Sequence, residues 1–149
     1  MVQAILYGTK TMTRIVIKTR KRISCCPHQV GDTLFVREAP ETFEKMPLKG
    51  DEEKEAATIF LRITDLRIER LQDISEEDAI AEGIETEKED VPVIPYKDYL
   101  GKYNYYSNPI NSFKSLWKSI YGEQSWEDNP YVWVICFEKM KFATIRKIN

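Results

Sequence analysis

Residues 58–71 (TIFLRITDLRIERL) alternate apolar and polar side chains twice, on opposite parities. Ile59, Leu61 and Ile63 share one parity, and Leu66 and Ile68 the other. A regular strand has a strict two-residue period, so one uninterrupted strand cannot put both sets on the same face. The pattern predicts one long strand with a bend or bulge near Thr64-Asp65, where one extra residue restores the phase and sharpens the local twist. A chain of 149 residues built around such a strand folds into a strongly curved sheet rather than a flat one.

The other elements fit a small mixed domain. Residues 2–7 (VQAILY) have helical spacing at Val2, Ile5 and Leu6, and Gly8 supplies a left-handed stop. The helix opens in mid-turn, without an N-cap. Residues 9–17 are rich in β-branched side chains on one parity and read as a strand, and residues 33–37 as a second. Ser75-Glu76-Glu77-Asp78 has capping-box spacing, so a short helix is expected to run to Glu82 and stop at Gly83. A further helix over 112–121 would bury Phe113, Leu116, Trp117 and Ile120 on one stripe. Residues 131–137 form an apolar strand expected to neighbour 58–71, with Leu61, Ile63, Val134 and Cys136 buried. A short terminal strand is expected at 142–145. Two stretches, 40–57 and 85–109, read as insertions or long loops within one domain spanning 1–149. Several short strands without a βαβ rhythm give an α+β fold with a small, partly closed barrel and flanking helices.

Composition narrows the function only a little. Twenty-two basic residues against 24 acidic ones give a net charge of −2, which neither favours nor excludes a nucleic-acid partner. Charge is nonetheless segregated. Residues 10–22 carry six cations and no acid, whereas residues 65–90 carry eleven acids against Arg67, Arg70 and Lys88. No apolar run approaches the roughly 20 residues of a membrane span, and the N-terminus lacks a signal segment. A cytoplasmic protein with no membrane association is expected. Three cysteines make no disulfide framework.

Cys25, Cys26 and His28 lie close together, but a zinc site needs a second ligand pair that the sequence does not supply. Their cysteines are read as local packing in a turn, with no metal and no cofactor expected. Glycine-rich phosphate loops and dinucleotide fingerprints are missing from the sequence, and a single histidine gives poor support to a hydrolase triad.

The chemistry concentrates in Gly8-Thr9-Lys10-Thr11-Met12-Thr13-Arg14. Glycine permits a tight reversal, Lys10 is a point charge or a base, and Arg14 can fork onto a carboxylate or phosphate. The same residue types are also common on an exposed edge strand. On an ideal strand Lys10 and Thr13 would face opposite ways, so a joint role requires irregular backbone. Arg37-Glu38 closes the strand after Gly31. The tyrosines Tyr96, Tyr99, Tyr103, Tyr105 and Tyr106 are candidate stacking residues for a base, or else a satellite core.

GTKTMTR resembles the signature of the ASCH superfamily, relatives of the PUA RNA-binding domain. The resemblance extends in order through MVQAIL (1–6), GDTLFVRE (31–38), LRIERLQDISEEDAIAEG (66–83) and residues 113–137, with Leu116-Trp117, Trp126, Asn129-Pro130 and Val132-Trp133-Val134. These blocks resemble the ASCH proteins of phages and prophages in particular. The resemblance implies a PUA-like β-barrel with helices beside an open cleft. The chain departs from that pattern in lacking a strand before the first helix, which implies either a truncated start or a barrel edge built differently, and in having Ile15 where phage relatives often carry a second arginine.

The resemblance implies two functional classes. One is RNA or nucleotide binding, with Gly8, Thr11, Arg14, Arg37 and Glu38 contacting the ligand. The other is an amidohydrolase acting on N4-acylated cytidines, whose lysine, threonine and glutamate correspond to Lys10, Thr13 and Glu82. A protein-interaction or packaging-accessory role is a third reading. Lys10, Thr13, Arg14, Arg37 and Glu82 are expected to line one cleft, or alternatively to form an ion-pair network closing a barrel mouth.

Overall fold

The computed structural model describes residues 2–18, 28–36, 59–87 and 92–140. Four strands form a curled antiparallel half-barrel: β1 (Met12–Val16), β2 (Thr33–Val36), β3 (Ile59–Arg70) and β4 (Tyr131–Lys139), in the order β1-β4-β3-β2. Among the described residues the α-helices that accompany them are α1 (Val2–Leu6), α2 (Glu76–Ala81), α3 (Pro109–Tyr121) and α4 (Glu123–Glu127). The chain therefore has a small α+β architecture.

The parity change in β3 is resolved by a bulge. Ile63 pairs with Phe137, but the next partner pair is Asp65 with Cys136, so Thr64 is the extra residue. Leu66 then pairs with Ile135 and Ile68 with Trp133. Ile59, Leu61, Ile63, Leu66 and Ile68 thus keep to one face, together with Phe137 and Ile135. Ile59, Leu61 and Phe137 pack there against Ile5, with Leu6, Leu34 and Val36 around them.

The opposite face is covered by helices. Val132 and Val134 are fully buried, each worth about 1.5–3 kcal/mol of transfer free energy. They meet Met12, Phe113, Trp117 and Trp126 in the larger core cluster. Helices on one face and a second cluster on the other account for the doubly apolar pattern of β4.

The helix signals act locally as expected. The Ser75 hydroxyl accepts from the Asp78 backbone N–H at 3.1 Å, and three acids occupy the first turn of α2. The helix expected over 112–121 starts earlier, at Pro109, where the Asn108 carboxamide accepts from the Ile110 N–H at 2.7 Å. Some expectations need correction. The first strand is shorter, because residues 9–11 form a turn bonded to α1 and α2 before the strand pairing of β1 begins. Of the expected stripe, Leu116 is only half-buried and Ile120 is 61% exposed, since among the described residues nothing covers the last turn of α3 on that side. Cys136 is only half-buried, because its face of β4 meets the Arg67 guanidinium there. The expected terminal strand at 142–145, the stretch 40–57, and Cys25 and Cys26 lie outside the described residues. No described helix is long and apolar enough to cross a membrane.

Candidate functional site

The turn after α1 is built by one carbonyl. The N–H groups of Thr9 and Lys10 both donate to Ala4 O, at 2.9 and 3.0 Å, and the Thr9 hydroxyl donates to the same atom. Gly8 makes the reversal with φ of 74°, a conformation open to glycine at little cost. Thr11 then ties three elements together: its N–H donates to Ala81 O at the end of α2, and its carbonyl accepts from Phe137 N on β4. Lys10 is consequently wedged against the C-terminus of α2.

Gly83 makes that wedge possible. It follows Glu82 with φ of 83°, and a Cβ placed on it would fall 2.6 Å from the Lys10 Cβ. Any side chain there would push the lysine away.

The Lys10 ammonium uses all three of its N–H bonds. They go to Met12 O at 2.9 Å, Glu82 O at 2.8 Å and Glu82 Oε2 at 2.9 Å. Lys10 and Glu82 are 8% and 6% exposed. The second Glu82 oxygen accepts from Arg14 Nη1 at 3.2 Å, so one carboxylate bridges both cations. Arg14 is buried and reaches two further acids, Asp78 Oδ2 at 2.7 Å and Glu69 Oε2 at 3.3 Å. Arg67 extends the web outward, sharing Asp78 Oδ2 at 2.7 Å and holding Glu69 at 2.6 Å and Asp65 at 3.2 Å. These acids, Glu69 foremost, raise the Arg67 pKa well above its ordinary value against an opposing desolvation. A fully buried guanidinium such as that of Arg14 needs this company, because an unpaired ion inside a protein costs several kcal/mol. The Arg14 Nε alone has no partner among the described residues.

β1 is an edge strand among the described residues, and a cleft of about 850 Å³ opens beside it. Its polar floor includes Lys10, Thr13, Arg14 and Glu82. Thr13 is one residue out of phase with Met12 and Arg14, yet it borders the same space because the cleft follows the strand's open edge. Lys10 precedes β1 in a backbone bridge to Glu82 and is buried on the parity of Met12 and Arg14, so it and Thr13 border the cleft from opposite parities. The Thr13 hydroxyl forms no hydrogen bond among the described residues. Gly8 and Thr11 shape the turn without lining the cleft, and Arg37 and Glu38 lie outside the described residues.

The apolar wall comes from α3. Phe113, Trp117 and Tyr121 recur every fourth residue and all line the cleft, with ring centroids 6.0 and 4.4 Å apart along the series. The Arg14 guanidinium sits 6.0 Å from the centre of the Phe113 ring. Tyr7 and Ile84 contribute from the other side. The helical stripe in the sequence placed Phe113 and Trp117 in the core alone, and nothing there pointed to Tyr7 or Tyr121. The four-residue aromatic spacing was the signal available for the α3 residues.

The tyrosine-rich stretch divides its side chains. Backbone bridges join Tyr96 to both Thr86 and Tyr106, folding the stretch back on itself. Tyr96 is buried in the larger core, Tyr103 and Tyr106 meet edge to face at 5.6 Å, and Tyr103 is exposed. Only Tyr99 lines the cleft among these tyrosines. Its hydroxyl accepts from Glu85 N at 2.8 Å, and burial, more than any other influence, raises its pKa. Two buried serines of α3 hold this stretch down: Ser112 Oγ donates to Lys97 O at 2.7 Å, and Ser115 Oγ accepts from Tyr99 N at 3.0 Å. Asp98 organises the bend by accepting from the backbone N–H groups of Leu100, Lys102 and Tyr103.

Among the described residues no three His, Cys, Asp or Glu side chains are grouped to hold a metal ion. Comparison of the chain with protein-family profiles, with curated proteins and with solved structures gave no match.

Proposed function

We propose that the chain is an ASCH-domain protein of the PUA-like, phage-related kind, whose cleft binds a nucleobase carried by a nucleotide or RNA. The observation that supports this reading most is the pairing of an aromatic wall with a polar floor in one open cleft. A base has two apolar faces and a polar edge, and such a cleft offers partners to both. Phe113, Trp117 and Tyr99 supply aromatic surface, while the Thr13 hydroxyl supplies a donor and an acceptor and the Glu82 carboxylate adds acceptor capacity. The cleft's cations, Lys10 and Arg14, are paired with Glu82, Asp78 and Glu69, so recognition rests on the base rather than on phosphate. Titration calorimetry with nucleosides and nucleotides tests the reading. Micromolar to millimolar binding that weakens in Trp117→Ala supports it, and no heat with any of them rejects it.

A second reading, deacylation of an N4-acylcytidine-like nucleoside, is favoured by one observation: Lys10, Thr13 and Glu82 border the same cleft. Amide hydrolysis needs a nucleophile, an acceptor for its proton and donors for the developing oxyanion. A hydroxyl, a carboxylate and an ammonium are groups of those kinds. Incubation with N4-acetylcytidine, following release of cytidine and acetate, decides it. Turnover lost in Lys10→Ala, Thr13→Ala and Glu82→Gln supports hydrolysis, and no turnover in the parent protein rejects it.

A further inference from the structure

The aromatic series on α3 changes character along its length. Phe113 and Trp117 are both 3% exposed, whereas Tyr121, one turn further, is 54% exposed. The Trp117 indole N–H donates to Ser125 Oγ at 3.1 Å, which fixes that ring on α4 and leaves Tyr121 to extend the stack outward. Across the cleft, Tyr7 is 80% exposed beside the Gly8 turn. Ile120 adds a third exposed apolar side chain to the same lining. Large apolar groups left in water together around a cleft mark a contact surface.

Size points the same way. The cleft's volume of about 850 Å³ lies near the top of the range of about 300–1,000 Å³ for small-ligand sites, more than one base requires. Charge limits what fills the excess. Both lining cations already donate to Glu82, and Arg14 also to Asp78 and Glu69, so among the described residues no lining cation is left to hold a phosphate deep in the cleft.

Resting on the nucleobase reading, we infer that the site takes a two-base step of a single strand. The inner base lies beside Tyr99 and Thr13, above the Lys10–Glu82 floor. The outer base stacks on Tyr121 and faces Tyr7, and the phosphodiester between them stays at the solvent-exposed mouth. Affinity then comes from stacking, which tolerates any base, and depends little on salt. Tyr7 and Tyr121 set the preference for a strand over a free nucleoside.

Calorimetry with the full chain tests this, using the four ribonucleosides and the dinucleoside monophosphates ApA, CpC, GpG and UpU at 50 and 200 mM salt. At least one dinucleotide is expected to bind tenfold or more tighter than its nucleoside. The logarithm of its affinity should fall with the logarithm of salt less steeply than the slope of about 0.7 that one neutralised phosphate gives. Tyr7→Ala and Tyr121→Ala should each cut dinucleotide affinity by about fivefold or more, consistent with about 1–3 kcal/mol per stacked base, and by a larger factor than they cut nucleoside affinity. Tyr121→Phe should retain binding. Both tyrosines are exposed, so the variants should keep the parent's circular dichroism and melting temperature. Equal affinity for nucleoside and dinucleotide, or a dinucleotide advantage that survives both alanine changes, overturns the inference while leaving the nucleobase reading intact. Absence of binding by every probe removes both.

Discussion

The Lys10 ammonium and the Glu82 carboxylate, 72 positions apart in sequence, meet at 2.9 Å where the turn after α1 abuts the end of α2. Glu82 holds this lysine twice, through a side-chain oxygen and through its own backbone carbonyl at 2.8 Å. Its remaining oxygen reaches Arg14, so one carboxylate bridges two buried cations.

Removing Glu82 should therefore be costly. Glu82→Ala leaves Lys10 with two carbonyls and Arg14 with Asp78 and Glu69, and is expected to destabilise by about 3–5 kcal/mol, as losing one partner of a buried pair does. Glu82→Gln keeps the shape and an acceptor oxygen, and should cost less. Urea denaturation of the two variants beside the parent measures the difference. Equal stability of all three would mean that the web contributes nothing to folding.

Gly83→Ala tests the close approach itself. The added methyl would fall 2.6 Å from the Lys10 Cβ, at a φ of 83° that side chains rarely adopt. Strained backbone costs about 1–3 kcal/mol, so a loss of that size is expected in chemical denaturation. Because the clash bears on Lys10, ligand affinity should drop alongside stability. A neutral Gly83→Ala would show that the contact is loose.

How far the sequence disclosed this arrangement depended on the range of each interaction. The bulge in β3 was legible because strand period is a local property, and a parity change within one apolar run requires an extra residue to restore the phase. Ser75 and Gly83 were legible for the same reason, as caps act within one helical turn. The Arg14 web was not. It requires the register that lines up Arg14, Val134 and Arg67 across three strands, and no local pattern sets that. Lys10 and Thr13 were linked in the sequence by family resemblance alone, and strand phasing argued against them. Lys10 lies before β1, bridged to Glu82, yet it is buried on the parity of Met12 and Arg14, so that phasing persists in the structure. The five tyrosines of residues 96–106 looked equivalent because their separation depends on the serines of α3 beneath them.

The bulge offers a sharp test of the fold. Deleting Thr64 returns β3 to a strict two-residue period, so either Ile59, Leu61 and Ile63 or Leu66 and Ile68 must leave the apolar face. Each buried aliphatic side chain turned to water costs about 1.5–3 kcal/mol, and three together approach the whole stability of a small domain. The deletion should fail to give a cooperative unfolding transition, whereas Thr64→Ala should melt close to the parent. Cooperative unfolding of the deletion variant at the parent's temperature would contradict the role of the bulge.

Asp98 gives the tyrosine-rich stretch a dependence on pH. Burial opposes its ionisation, but the N–H groups of Leu100, Tyr103 and Lys102 outweigh that and hold its carboxyl below the ordinary aspartate value. A carboxyl with a depressed folded-state pKa stabilises fully above its unfolded value, and the contribution is lost as pH falls through the folded one. Acidification below the ordinary aspartate range should release this bend. Asp98→Ala should cost about 1–3 kcal/mol at neutral pH, by leaving buried donors unmet, and should flatten the acid limb of the stability curve. Melting temperature against pH for both proteins checks it; parallel curves would contradict the role.

Binding at the cleft is tested most directly by a two-dimensional amide NMR titration of the intact chain with nucleosides and dinucleotides. The expected result is saturable shifts concentrated at Thr13, Glu82, Gly83 and Ile84 on one wall and at Phe113 to Tyr121 on the other, with the Trp117 indole signal moving among them. Titrations that leave these signals in place, or that move only residues remote from the cleft, would contradict it.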